Sequence, residues 1–339
     1  MSSTGSAGGA LRVGVVGAGS WGTTVASLTA MNAPTTLWAR RSHTADAINS
    51  THRNPEYLGD LQINEAVIAT ASLMECVGTA DVVVMAVPSH GFREVLGNAA
   101  AHVRPGVPIV SLSKGLEAGT LARMTEVVRS VLPHHPVAVL TGPNLAREIA
   151  GGQPAASVIA TTDASMGATL QSLFATPMFR VYTNPDIVGC EIAGVVKNVI
   201  AIAAGIARGM GFGENTLATL ITRGLAEISR LAMAMGAKPL TLAGLAGMGD
   251  LIATCSSTQS RNMSVGMRLG RGETLEQITA SMNMVAEGVK SSPSVLELAS
   301  RHGVSMPITE QVVSVCRDGV SAADALISLM TRSSKSEFE

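Results

Sequence analysis

Short apolar runs of strand length alternate with longer amphipathic stretches over the first half of the chain. Strands are expected at 11–16, 35–39, 66–69, 82–87, 108–112, 137–140 and 157–160, with 179–182 as a candidate last one. Helical periodicity falls between several of them, at 91–102 and 120–132 among others. Such alternation predicts a doubly wound, mostly parallel sheet. After the turn Asn184-Pro185-Asp186 strand signals stop, and residues 187–206, IVGCEIAGVVKNVIAIAAGI, are apolar on every side. A helix of that kind has to be buried. A second helix is expected at 215–235, stopped by Gly236 and Pro239, with Arg223, Glu227 and Arg230 off its apolar face. Further helical stretches fall at 261–270, 293–300 and 322–330. The pattern divides the chain into a mobile tail (1–10), an α/β domain (11–190) and an all-α C-terminal domain (191–339).

Composition agrees with two packed cores. A chain of 339 residues exceeds the size at which single cores usually split. With 46% hydrophobic and 14% charged residues it is far from the disordered class. The net charge of −1, without runs of one sign, gives no footprint for nucleic acid or an anionic membrane. Cys76, Cys190, Cys255 and Cys316 are widely spaced and no HExxH occurs, so no metal is expected, and reduced thiols suit a cytoplasmic protein. MSSTGSAGGA lacks the basic and apolar regions of a signal peptide. Residues 187–206 approach spanning length, but Glu191, Lys197 and Asn198 make insertion costly, so a soluble core helix is expected.

Candidate chemistry begins at Gly17-Ala18-Gly19-Ser20-Trp21-Gly22, a GxGxxG run between the first strand and a helix. The first glycine allows the turn, the second lets a pyrophosphate approach the backbone, and the third lets helix and strand pack closely. Placed between strand and helix at the start of the sheet domain, the run favours dinucleotide binding and a Rossmann-type fold over a merely structural turn. The second strand ends in Arg40-Arg41, where this fold meets the adenosine ribose. An acidic residue there would accept from a 2′-hydroxyl, whereas two guanidinium forks suit a 2′-phosphate. The alternative is a solvated pair at a strand end; NADP is favoured, and NAD use stays open. Polar segments follow other strands: Val87-Pro88-Ser89-His90, Ser113-Lys114-Gly115 and Thr141-Gly142-Pro143-Asn144. Lys114 is either a solvated loop lysine, the more frequent case, or placed to meet a phosphate or a carbonyl oxygen, while His90 and Asn144 read as loop-shaping residues.

Lys197 stands in the middle of the apolar helix. A desolvated lysine exchanges a proton at working pH unless a carboxylate holds its charge. Glu191, six residues back, is off the Lys197 face. Asp250, within GLAGMGDLIATC, is either a local cap or the partner of Lys197. Ser256-Ser257-Thr258-Gln259-Ser260-Arg261-Asn262 combines hydroxyls, a guanidinium and a helix start, which suits a phosphate as well as it suits a capped polar loop.

Taken together, GAGSWG, LWARR, VPSH, SKGLE, TGPNLAREIA, VVKNVIAIAAGI, LITRGLAEISRL, GLAGMGDL, TCSSTQSRN and VAEG resemble the NAD(P)-dependent sn-glycerol-3-phosphate dehydrogenases of the bacterial soluble type, in order and over nearly the whole chain. The resemblance implies hydride transfer between NAD(P)H and dihydroxyacetone phosphate, supplying glycerol 3-phosphate for phospholipid synthesis, with Lys197 as proton donor or acceptor. It implies cofactor contacts from Ser20, Trp21, Arg40 and Arg41, beside Gly17, Gly19 and Gly22, with Ala146, Val285 and Glu287 closing over the cofactor. Lys114, Gly142, Asn144, Asp250, Ser260, Arg261 and Asn262 would line the substrate site, Lys114 and Arg261 touching both ligands. The site would lie in the cleft between the domains, and a homodimer is compatible with the family. Two departures stand out: Asn144 replaces a Ser or Thr after Gly-Pro, and the turn Asn32-Ala33-Pro34 is shortened.

Overall fold

The computed structural model describes residues 11–282, 286–333 and 336. They form two compact units. Of the described residues, the first comprises 11–113, Met124–Leu140 and Asn144–Pro185; the second comprises Lys114–Arg123, Thr141–Pro143 and those from Asp186 onward.

The first unit holds one sheet of eight strands: β1 (Val13–Val16), β2 (Thr35–Trp38), β3 (Val67–Thr70), β4 (Val82–Met85), β5 (Ile109–Ser111), β6 (Val137–Thr141), β7 (Ala155–Ala160) and β8 (Phe179–Asn184). Their spatial order is β3-β2-β1-β4-β5-β6-β7-β8. Parallel ladders join β1 to β2 and β4, β2 to β3, β4 to β5, β5 to β6, and β7 to β8. Residues of β1 and β4 are buried throughout, as continuous valine-rich runs in a covered parallel sheet must be. The outermost strands β3 and β8 instead alternate buried with exposed residues. The chain runs outward from β1 through β2 to β3, then returns to β4 on the other side of β1. That reversal makes the carboxyl end of β1 the place where such sheets take a ligand. Helix α1 (Ser20–Thr29) leaves from there, and a one-turn helix, α2 (Pro55–Leu58), lies in the connection between β2 and β3.

The second unit is built on α3 (Ile187–Gly209), in which every residue from Gly189 to Ala207 is buried. Asp186 caps it, accepting from the Gly189 amide at 2.8 Å. By length and composition α3 could cross a membrane, yet 94% of its most apolar stretch is buried inside protein. Around it pack α4 (Glu214–Ala234), α5 (Asp250–Ser256), α6 (Arg261–Gly270), α7 (Glu287–Arg301) and α8 (Pro307–Arg317). The α3–α6 crossing is backbone on backbone. A Cβ on Gly205 would come within 2.3 Å of the Met263 carbonyl oxygen, and one on Gly266 within 2.1 Å of that of Ile202.

Three expectations change. The helix expected over 120–132 begins only at Met124, because Gly119 and Leu121 adopt φ of +84° and +62°, outside helical space. Residues 114–123 instead fold on themselves through a bridge between Leu116 and Arg123, and Leu116 and Leu121 join the helical core. Glu227, expected off the apolar face of α4, is buried and accepts the Ile308 and Thr309 amides at the start of α8, at 2.6 and 3.2 Å. Helix α7 starts at Glu287, well before Pro293, which it carries internally.

Candidate functional site

The glycine-rich turn of the first unit is shaped for a diphosphate. Gly17 has φ +120°, and a Cβ there would lie 2.8 Å from the Ala86 carbonyl oxygen. A Cβ on Gly22 would overlap the Gly17 carbonyl oxygen at 1.9 Å, so this residue lets α1 pack on β1. A Cβ on Gly19 would meet nothing within 4 Å, which leaves open space at the N-terminus of α1, where no side chain caps the helix. First-turn amides and the helix dipole are thus available to an anion. The Trp21 indole nitrogen is buried without a hydrogen-bond partner, a donor awaiting an acceptor. These features fit a dinucleotide. Ala146 opens a helix, Ala146–Ala150, and its carbonyl accepts from Thr24 Oγ1 at 3.2 Å. At the end of β2, Arg40 and Arg41 are exposed, and Arg41 is ion-paired with Glu56.

In the second unit one carboxylate gathers two lysines. Lys197 Nζ donates to Asp250 Oδ1 at 2.6 Å, and Lys114 Nζ donates to Asp250 Oδ2 at 2.7 Å. Lys197 also donates to Thr254 Oγ1 at 2.6 Å. That hydroxyl spends its single proton on the Asp250 carbonyl at 2.6 Å, so it presents a lone pair to the ammonium. Lys114 donates also to the Gly142 carbonyl at 3.0 Å, which is what Gly142 contributes. Asp250 is the first residue of α5, set there by the π-helical turn Leu245–Gly249, and is the partner of Lys197. It is 1% exposed and Lys197 6%, so both charges are desolvated. Burial lowers Lys114 to about 8, against the pull of Asp250 and with that of Lys197. The Lys114–Asp250–Lys197 group carries one positive charge beyond neutrality, a strong attraction for an anion in a low-dielectric setting.

One side of α3 organises this group. Glu191 engages Arg123 in a buried ion pair at 2.7 Å, not Lys197. One turn on, Gly194 has no side chain, and a Cβ there would lie 3.5 Å from the Lys114 stem. Asn198, next to Lys197, accepts from Asn262 Nδ2 at 2.9 Å, and Asn262 Oδ1 accepts the Gly288 amide at 2.9 Å. Asn262 is therefore a buried tie between α3, α6 and α7. Ser260 caps α6 through the Met263 amide at 3.3 Å, while Arg261, the first residue of that helix, is exposed. Glu287 opens α7, and burial raises its carboxyl against Arg261, Lys114 and Lys197. Val285 lies outside the described residues. Asn144, in the first unit, donates to Ser157 Oγ at 3.1 Å, and its Oδ1 is buried without a partner.

Sequence reasoning missed Thr254, although its place four residues after Asp250 on a helix was a usable signal. It also missed the segment around α2. Asn54 donates to the Ala18 carbonyl at 2.9 Å and to Thr23 Oγ1 at 2.8 Å, and Ser20 Oγ donates to the Tyr57 carbonyl at 3.0 Å. The Asn-Pro start and the Gly59 stop in NPEYLG were the signal. Among the described residues no group of His, Cys, Asp and Glu could hold a metal ion.

Comparison with known proteins bears on both units. Residues 12–167 match the NAD-dependent glycerol-3-phosphate dehydrogenase N-terminus family and residues 186–327 the corresponding C-terminus family. A protein named as an NAD(P)+ glycerol-3-phosphate dehydrogenase in Sphingopyxis alaskensis is 55% identical, covering 95% of this chain and 97% of that protein. One so named in Corynebacterium jeikeium is 53% identical, covering 96% and 100%. The crystal structure of the glycerol-3-phosphate dehydrogenase of Coxiella burnetii superposes with a TM-score of 0.91 at 34% identity, covering 95% of this chain and 99% of that one. The chain belongs to the NAD-dependent glycerol-3-phosphate dehydrogenase family.

Proposed function

We propose that this protein interconverts dihydroxyacetone phosphate and sn-glycerol 3-phosphate with NAD(P)H, and that Lys197 moves the proton. The observation that carries the proposal is the Lys197 ammonium, buried in an apolar helix and held at 2.6 Å by both Asp250 and Thr254. An ammonium has three protons. Two are directed at Asp250 and Thr254, and the third is left for a substrate oxygen. When bound, the nicotinamide supplies the hydride for C2 of the ketone. Lys197 stabilises the negative charge developing on the C2 oxygen and then protonates it, and in the reverse direction takes that proton back. Asp250 fixes the direction of both lysines, and the surplus positive charge favours an anionic substrate. Arg261, exposed at the start of α6, is the phosphate clamp. Ser260 acts beside it through the helix start, whereas Asn262 positions the helices. Gly17, Gly19, Ser20, Trp21 and Gly22 hold the diphosphate end of the cofactor, Arg40 and Arg41 meet the 2′-phosphate of NADP, and Ala146 and Glu287 each add a cofactor contact. In the reducing direction the product is glycerol 3-phosphate for phospholipid synthesis in the cytoplasm.

The test is NADPH oxidation with dihydroxyacetone phosphate beside dihydroxyacetone, in wild type and in Arg261→Ala. Wild type should turn over the phosphorylated ketone with a far lower KM. Arg261→Ala should raise that KM strongly and narrow the preference. An equal loss for both substrates would move the clamp elsewhere, and no turnover of the phosphorylated ketone would refute the activity.

A further inference from the structure

The end of β2 carries two arginines, but the structure places an acid there as well, supplied from elsewhere in the chain. Helix α2 is bolted to the glycine-rich turn. Asn54, fully buried, ties it to Ala18 and Thr23, Tyr57 accepts from Ser20, and Leu58 is sealed in the core of the first unit. With its neighbours fixed, Glu56 projects from α2 and engages the Arg41 guanidinium. Both side chains are more than two-fifths exposed, at 42% and 44%. The pair is thus screened by water and weak enough for a stronger anion to break. Arg41 holds the Glu56 carboxyl below its ordinary range, so Glu56 is ionised at working pH. Among the described residues Arg40, the neighbouring guanidinium, has no such partner.

We infer that Glu56 sets the cofactor preference of this enzyme by occupying Arg41 in competition with the 2′-phosphate of NADP. The inference rests on the reading of Arg40 and Arg41 as the adenosine-end residues. A 2′-phosphate must take Arg41 from Glu56, and it does so because its charge exceeds that of a carboxylate. A cofactor with a 2′-hydroxyl leaves the ion pair intact and finds in Glu56 a hydrogen-bond acceptor of the kind that this fold usually carries at the end of β2. Glu56 therefore weakens NADPH binding and spares NADH, which keeps the two cofactors closer in affinity than two unopposed arginines would.

The experiment measures Kd for NADPH and for NADH in wild type, Glu56→Gln, Arg41→Ala and the double variant, at low and at high salt, with Tm as a check on folding. Glu56→Gln should tighten NADPH by about two- to tenfold and leave NADH unchanged or weaker, with the gain shrinking at high salt. Arg41→Ala should weaken NADPH selectively, and adding Glu56→Gln to it should then change nothing further. If Arg41→Ala lowers NADPH selectivity while Glu56→Gln leaves the ratio of the two cofactors unaltered, the inference about Glu56 is wrong and the arginine reading stands. If Arg41→Ala affects both cofactors alike, the arginine reading itself is wrong and the inference goes with it. A full Glu56→Gln gain that persists without Arg41 also overturns the inference, since Glu56 would then act by direct repulsion.

Discussion

The two charged regions of this protein solve opposite problems. In the helical unit, Lys114, Lys197 and Asp250 are withdrawn from water, and each hydrogen bond that holds them is short and directed. At the end of β2, Arg40 and Arg41 stand in water, and Arg41 pairs with the equally exposed Glu56. Desolvation multiplies the strength of a charge and the penalty for leaving it unpaired, whereas exposure screens both. The buried group is suited to stabilising a transient charge on a substrate. The exposed group is suited to choosing between ligands that differ by one phosphate. Loss of the carboxylate that both buried lysines share should be severe, and loss of an exposed partner graded.

The largest effect should follow Asp250→Leu. It leaves two buried ammonium groups facing each other, and breaking a buried pair costs about 3–5 kcal/mol. Thermal unfolding should show a marked fall in Tm, and NADPH oxidation should fall by about 10²–10⁴-fold or more, the span of acid–base catalysis. A variant of normal stability and activity would mean that the carboxylate is not the organiser. Gly266→Val tests the frame that carries the buried group. The new side chain would meet the Ile202 carbonyl oxygen across the α3–α6 crossing, and overpacking costs about 1–3 kcal/mol or more. Chemical denaturation should report that loss, with NADPH binding by the first unit retained in whatever fraction stays folded.

On the exposed side, Arg40→Ala with Arg41→Ala should lower NADPH affinity by about ten- to a hundredfold, the worth of about one hydrogen bond to a charged group at roughly 1.5–3 kcal/mol because Glu56 already competes for Arg41, and leave NADH nearly unaffected. Titration of both cofactors by fluorescence checks it, and equal losses would return the arginines to a solvated strand end. The smallest effect is one of pH. Burial lowers Lys114 from its ordinary 10.5 to about 8, so it is charged below that pH and neutral above it. KM for dihydroxyacetone phosphate should be about doubled at pH 8 and climb beyond it, and Lys114→Arg should shift that rise to higher pH. The sign for stability follows. Between 8 and 10.5 the unfolded chain binds the proton that the folded one has lost, so the free energy of unfolding rises with pH in that window.

Much of the fold was legible because buried strands and a buried helix announce themselves by apolar runs. All eight expected strands are present, and α3 starts at the expected Ile187. Pattern could not show where 114–123 would go, since Leu121 takes a left-handed conformation that apolar periodicity does not foretell. The candidate site divided similarly. Lys197 was visible as a charge in an apolar helix, and Asp250 as an acid among glycines. Their meeting depended on a π-helical turn that sets the first residue of α5. Glu56 was invisible, because an exposed acid on a one-turn helix looks the same in sequence whether it faces water or an arginine.

The central claim is that Lys197 performs proton transfer, and one variant examines it most directly. In Lys197→Met a linear apolar side chain of similar length replaces the lysine, while Lys114 still pairs with Asp250. NADPH affinity and Tm should therefore stay close to wild type. Measured together with those two quantities, kcat for dihydroxyacetone phosphate reduction should drop by about 10²–10⁴-fold or more, since both the proton and the charge facing the C2 oxygen are lost. Retention of more than about a tenth of wild-type kcat, with normal Tm and normal NADPH binding, would contradict the assignment and turn attention to Lys114.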